Sequence, residues 1–363
     1  MEFEEKIARL VTTMERHNLD GIVLQRVSSF AWATCGAASY IALTALNGVA
    51  WLLVERESRR VITNNIEATR LTAEEPLLEQ GWQFAVVPWH GNPELELKKL
   101  INVKRIGFDG AFPGALDLSY EMIDLRANLN PAEQERFRSL GKRCAEVMES
   151  TLLMIRPGMS EIQISGLLAG EAEKRGVRAV VNLVAVDERI FLHRHPLPTE
   201  KKLERYAMIV LGGRWRGLIC SVSRLVHFGT PPEDVRRKMA CTARVDAALI
   251  SSTRPGRALG DVLQAGLDTY TRLGFADEWE LHHQGGLSGY EPRELKVTPG
   301  AARLVGPGQA FAWNPTITGT KMEDTILVGA GGNEILTRTA NLPVIPVQAN
   351  GMTVETPDIL VVT

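Results

Sequence analysis

The chain has 363 residues, 45% of them hydrophobic and 23% charged, with a net charge of -2. That length exceeds the usual size of one hydrophobic core, so two domains are expected. Near cancellation of charge excludes a basic field for nucleic acid and an acidic tail for a charged partner, which leaves a small molecule as the expected partner.

Cys35, Cys144, Cys220 and Cys241 are scattered without a Cys-x-x-Cys pair. This argues against a disulfide framework and a thiolate zinc site and predicts buried free thiols. The acidic start Met-Glu-Phe-Glu-Glu-Lys leads into an amphipathic pattern, so no signal peptide is expected. No apolar run is long enough to span a bilayer, no membrane partner is expected, and the expected location is cytoplasmic.

In chain order, Phe3, Ile7, Leu10 and Met14 at helical spacing predict a helix over 3–18. Strands are expected at 21–24, 49–54, 60–63, 84–88 and 106–109, with helices at 65–75 and 93–100. The alternation describes an α/β domain. Near Asn128-Leu-Asn-Pro131 the punctuation changes, Pro131 suits the first position of a helix, and Phe137, Leu140, Cys144, Val147 and Met148 line one side of a long one. The domains are therefore placed at 1–128 and 129–363. Within the second, Arg156-Pro-Gly158 precedes a helix ending at Gly176, and Arg254-Pro-Gly256 precedes one ending at Gly274, twenty residues from arginine to glycine in both. Strand-like sequence follows each, at 180–186 and 278–283, so two copies of a helix, helix, strand unit would face each other across a cleft.

The stretch Leu281 to Glu294, Leu-His-His-Gln-Gly-Gly-Leu-Ser-Gly-Tyr-Glu-Pro-Arg-Glu, concentrates polar chemistry in a chain with only seven histidines. Its glycines let backbone approach a ligand or form a bulge beside one, leaving His282, His283, Arg293 and Glu294 as reachable groups. A glycine-rich hairpin with solvated charges would look the same locally.

With these residues in place the chain resembles the pita-bread family that includes creatinase, prolidase and aminopeptidase P. Ser28-Ser-Phe-Ala-Trp32 and Ile106-Gly-Phe-Asp109 resemble its N-terminal domain. Residues 209–224, the 281–294 stretch, and 311–328 with Asn314-Pro315 and Lys321-Met-Glu-Asp-Thr325 resemble three motifs of its catalytic domain, in order. The resemblance implies an N-terminal creatinase-like α/β domain followed by a pita-bread domain with an internal pseudo-twofold repeat.

Metal-dependent members hold two ions with two aspartates, a histidine and two glutamates, and those positions here read Val210, Ser221, Gly286, Asn314 and Glu323. Valine and glycine offer a divalent ion no ligand, so no metal and no cofactor are expected. Creatinase works without metal through a histidine, and the resemblance puts that role on His193, seventeen residues before Val210, with His195 as its rival. A neutral imidazole would take a proton from water and return it to a leaving nitrogen. Glu323 would assist as the second catalytic residue and face a cationic group of the substrate, while Arg293 would face a carboxylate or oxyanion. Ser221, Ser223, His282, His283 and Asn314 would complete the polar shell, with Trp313 as a pocket wall or a core residue.

The expected function is a metal-independent hydrolase, or a lyase, cleaving a C–N bond in a small amino-acid-derived molecule. Its alternatives are a metal-dependent Xaa-Pro aminopeptidase or dipeptidase and a non-catalytic binding protein. The resemblance also implies a homodimer, with the Gly/Ala-rich stretch Trp32 to Tyr40 apolar enough to lie against the partner.

Overall fold

The computed structural model describes residues 2–102 and 104–363. Contacts divide the chain into two units, Met1–Arg126 with Arg216–Leu218, and Ala127–Trp215 with Ile219–Thr363.

In the first unit, α1 (Glu2–His17) buries Ile7, Leu10 and Met14, the apolar stripe visible in the sequence. After it come β1 (Gly21–Arg26), α2 (Val27–Ala33), β2 (Asn47–Glu55), β3 (Arg59–Asn64), α3 (Asn65–Glu74), β4 (Gln83–Val87), α4 (Pro93–Leu100), β5 (Ile106–Phe108), β6 (Leu116–Asp117) and α5 (Ser119–Ala127). The strands form one mixed sheet in the order β4-β3-β2-β1-β5-β6. Its core gathers Val23, Leu53, Ile62, Leu97, Ile106 and Phe108. Helix α2 escapes a periodicity reading because all seven of its residues are buried, which leaves no amphipathic stripe. In the stretch expected to lie against a partner, Trp32, Ala33 and Ala37 are buried by their own chain, whereas Cys35, Gly36, Ala38 and Tyr40 are half-buried.

In the second unit, α6 (Pro131–Met154) starts at Pro131 behind Asn130, whose side chain and that of Glu133 cap each other's backbone amides. It is followed by α7 (Glu161–Lys174), β7 (Arg178–Val186), α8 (Arg189–Leu192), β8 (Tyr206–Trp215), β9 (Leu218–Phe228), α9 (Glu233–Ser252) and α10 (Leu259–Arg272). The internal echo is written in the backbone. Gly158 and Gly256 sit at φ +89° and +82°, and the helices α7 and α10 are each followed by a left-handed glycine, Gly176 at +68° and Gly274 at +81°.

The two copies then diverge. The first runs straight into the nine-residue strand β7, whereas 278–283, expected to be a strand, forms a 3-10 turn at Glu278–Leu281. The Glu278 carboxylate accepts from the Thr318 amide and hydroxyl and from Arg194, which pins the segment as a turn and delays pairing until Gly285.

The remaining strands are β10 (Gly285–Ser288), β11 (Leu295–Lys296), β12 (Ala310–Trp313), β13 (Thr316–Ile317), β14 (Thr320–Lys321), β15 (Asp324–Gly329), β16 (Gly332–Ile335), β17 (Val344–Ala349), β18 (Met352–Pro357) and β19 (Leu360–Val362). The segments that carry the three sequence motifs lie in two sheets, β19-β9-β8-β7 and β11-β10-β12-β15-β16. These sheets are stitched where β9 runs beside the start of β15. The Ser223 amide donates to the Glu323 carbonyl at 3.0 Å, and the Thr325 hydroxyl bonds both amide and carbonyl of Ser221. Met208, Val210, Leu225, Met239, Ala243 and Met322 pack into one core cluster, which reaches the cavity at Val210. No disulfide joins the four cysteines among the described residues; Cys144 and Cys220 are buried, while Cys35 and Cys241 are only half-buried. Among the described residues no helix is long and apolar enough to cross a membrane.

Candidate active site

A cavity of about 300 Å³ opens between the two stitched sheets, within the range of small-molecule sites. Val181 and Leu183 of β7 and Val210 of β8 form an apolar wall; His195, Ser221, His283, Arg293, Lys296, Asn314, Lys321 and Glu323 supply its polar lining.

The loop after α8 delivers His195. Its base is tied by the buried Glu161, whose carboxylate accepts from the Val186 amide, the Arg189 guanidinium and both amide and hydroxyl of Thr199. Arg194 then donates to Glu278 at 2.9 Å and to Thr318 at 2.8 Å. These bonds fix the residue between the two rival histidines and put His195, not His193, at the cavity. His193 is exposed and lies outside the lining residues, so the count back from Val210 lands two residues from the histidine that lines the cavity.

His282 and His283 follow the 3-10 turn. The Gln284 side chain donates to the His282 carbonyl at 2.6 Å and is itself held by the Tyr270 hydroxyl at 2.9 Å. Two glycines make the next step possible. Gly285 lies at φ +110°, and a side chain at Gly285 or Gly286 would meet the Ala312 or Leu295 carbonyl at 2.1 Å. His282 Nε2 stands 3.1 Å from His195 Nε2, and Asn314 Nδ2 3.5 Å from His282 Nε2. Burial, followed by the charge of Lys321, depresses His282 to about 2. Burial and then Arg293 depress His283 to about 4. His195 is lowered too, by burial first and Lys321 second, so all three rings are neutral at neutral pH.

The charged members pair with one another. Arg293 Nη2 donates to Glu323 Oε1 at 2.9 Å and Nη1 to Ser221 Oγ at 3.0 Å. The Ser223 hydroxyl donates to Glu323 Oε2 at 2.6 Å, and Lys321 Nζ lies 3.4 Å from the same oxygen. Burial alone would raise Glu323, but Lys321, Arg293 and Ser223 together outweigh it and hold the carboxyl at about 2. Glu323 and Arg293, expected to face opposite charges on a substrate, are paired with each other while both line the cavity.

Several other positions also resolve. Trp313 is core, donating to Thr253 Oγ1 at 3.0 Å and stacked on Phe311. Ser223 and His282 stand behind the lining, each bonded to a residue that lines the cavity. Glu294 is buried and accepts from the Tyr290 and Glu291 amides. Lys296 and Lys321 were missed. Lys321 had a signal, because it stands two residues before Glu323 in extended backbone and so shares its side.

Comparison with known proteins bears on this geometry. Residues 135–330 match metallopeptidase family M24, and residues 6–138 match the creatinase/prolidase N-terminal domain. An uncharacterized peptidase of Staphylococcus haemolyticus is 25% identical over 236 residues, a stretch covering 61% of this chain but only 65% of the relative's own length. Among solved structures, the Xaa-Pro dipeptidase from Bacillus anthracis superposes with a TM-score of 0.78 at 19% identity, over 99% of this chain and 100% of that one. The prolidase from Pyrococcus horikoshii OT3 gives 0.79 at 17%, over 93% and 99%. At these identities the likeness of the solved structures is one of fold.

Proposed function

The chain belongs to metallopeptidase family M24, and from the contents of its cavity we propose that it is a hydrolase that cleaves a C–N bond in a small amino-acid-derived molecule without the family's two metal ions. The observation that carries the reading is the saturation of Glu323. Its oxygens are held by Arg293, Ser223 and Lys321, so side-chain cations supply the positive charge that metal ions would bring. At the other four positions, Val210 and Gly286 offer no donor, the Ser221 hydroxyl is engaged by Arg293, and Asn314 brings a neutral amide. This set does not fit a dinuclear centre, which needs several carboxylate or imidazole ligands per ion.

Proton transfer falls to His195. A bond between its Nε2 and that of His282 requires one of the two to carry the hydrogen. With His195 as the donor, its Nδ1 lone pair is free, and this is the atom we assign as base. It would take a proton from water as the oxygen attacks the carbonyl carbon, then return it to the leaving nitrogen as the C–N bond breaks. Three cations, Arg293, Lys296 and Lys321, meet one carboxylate around the cavity. The excess positive charge suits a substrate carboxylate and the oxyanion that develops during attack. The reading includes a homodimer, against which light scattering at the mass of one chain would count.

The test is turnover of N-acyl amino acids, ureido acids and Xaa-Pro dipeptides before and after exhaustive chelation. Chelator-resistant cleavage is expected, reduced about 10² to 10⁴-fold by His195→Asn and left near the parent rate by His193→Asn. Activity that vanishes on chelation and returns with manganese or cobalt would establish a metal-dependent peptidase instead. Ligand binding without turnover across the panel would make the chain a binding protein.

A further inference from the structure

His195, His282 and His283 each offer one ring nitrogen, and these three atoms lie within 4.8 Å of one another. None of the three occupies a position at which the family resemblance places a metal ligand. Two imidazole nitrogens on one tetrahedral zinc ion, each at about 2.0 to 2.1 Å, stand roughly 3.3 to 3.4 Å apart. The 3.1 Å between His195 Nε2 and His282 Nε2 is therefore already close to chelate spacing. Consecutive residues of a regular strand would send their rings to opposite faces. Here the irregular exit from the 3-10 turn keeps the His282 and His283 rings 4.7 Å apart, on the side that His195 approaches.

We infer that this trio is a site for one late transition-metal ion, and that filling it silences the enzyme by occupying His195. The second half rests on the proton-carrier role proposed above; the first does not. Neutral nitrogen ligands suit zinc, nickel and copper, whereas magnesium and manganese prefer oxygen. Three protein ligands leave a fourth direction open, and His195 and His283 line the cavity. Two features limit the affinity. Lys321, Lys296 and Arg293 stand near enough to oppose a second positive charge. The Nδ1 atoms of His282 and His283 are buried without a hydrogen-bond partner among the described residues, so the outer bonds that usually strengthen imidazole ligands are missing. Both point to micromolar binding.

The experiment titrates zinc into chelator-stripped full-length protein by calorimetry, with manganese as the contrast. One equivalent of zinc is expected to bind in the micromolar range, at least tenfold more weakly in His195→Ala and in His283→Ala, while manganese gives no saturable heat. His195 stands at the exposed edge of the site, so His195→Ala keeps the comparison decisive even if a variant of the buried His282 fails to fold. Absence of saturable zinc binding, or binding equal to the parent in both variants, overturns the site. Alongside, turnover should fall in proportion to zinc occupancy. A rise with occupancy would refute silencing and the metal-independent reading together while leaving the binding site established.

Discussion

Glu323 and Asp324 are neighbours in sequence, both fully buried, and their ionisation is pushed in opposite directions. Glu323 faces the cavity, with Arg293, Lys321 and Ser223 on its oxygens, and is held at about 2. Asp324 faces the core, accepting from Arg224 at 2.8 Å and from the Thr337 hydroxyl, and burial raises it despite them. Since burial is common to both, the number of cations decides the outcome. Cavity-side charge is in positive excess, three cations to one carboxylate. The core side is short of cations, because Asp246 of α9 is also buried there, with neither oxygen bonded among the described residues. Two adjacent positions thus separate the charge lining the cavity from the charge buried in the core.

The sharpest way to break this comparison is to remove the core cation. Arg224 donates to Asp324, to the Thr337 carbonyl and to the Ser223 carbonyl. Arg224→Met leaves a buried carboxylate unpaired and should cost about 3 to 5 kcal/mol, read as a lower urea midpoint. A loss below about 1 kcal/mol would mean that Asp324 is already neutral in the folded protein.

The matching change on the cavity side should be milder. Lys321→Met removes one of three partners of Glu323, and Arg293 and Ser223 remain. Lys321 is itself held below the ordinary ammonium value by burial, so part of the loss is returned when it goes. We expect about 2 kcal/mol, the scale of a hydrogen bond to a charged group. A destabilisation equal to that of Arg224→Met would erase the distinction between the two sides.

How legible these regions were differs for a physical reason. Helix starts and stops are local: Pro131 at the first turn of α6 and the left-handed Gly176 and Gly274 after α7 and α10 each announce themselves within a few residues. Resemblance at three ordered motifs carried the fold, and it brought Ser221, Asn314 and Glu323 to one cavity as grouped. The convergence of His195 with His282 and His283 joins residues 87 apart in the closest pair, and no local period encodes such a contact. That His195 and not His193 lines the cavity has the same origin, because a residue count assumes a loop length, whereas the observed loop is set by Arg194, Glu278 and Thr318. Charge pairing was the remaining gap. Arg293, Ser223 and Lys321 all converge on the Glu323 carboxylate, and their positions at 293, 223 and 321 share no local period that would announce the network.

Asp246 gives the finest test, and its sign follows from linkage. Burial, helped by the charge of Asp324, pushes its carboxyl well above the usual value of 3.8, while Arg224 opposes the shift. The folded state therefore keeps a proton that the unfolded chain releases as pH rises through about 4. Above that point the unfolded state binds fewer protons, so Asp246 lowers stability with increasing pH until its own folded-state value is passed. Asp246→Asn keeps the size and removes the ionisation. The variant should match the parent near pH 3 and exceed it at pH 6, the advantage growing by at most about 1.4 kcal/mol for each pH unit over which the fold keeps the proton. Urea unfolding at both pH values reads this directly. Equal slopes for parent and variant would mean that Asp246 is ionised in the fold, and the core side would then carry two charged carboxylates against the single cation of Arg224.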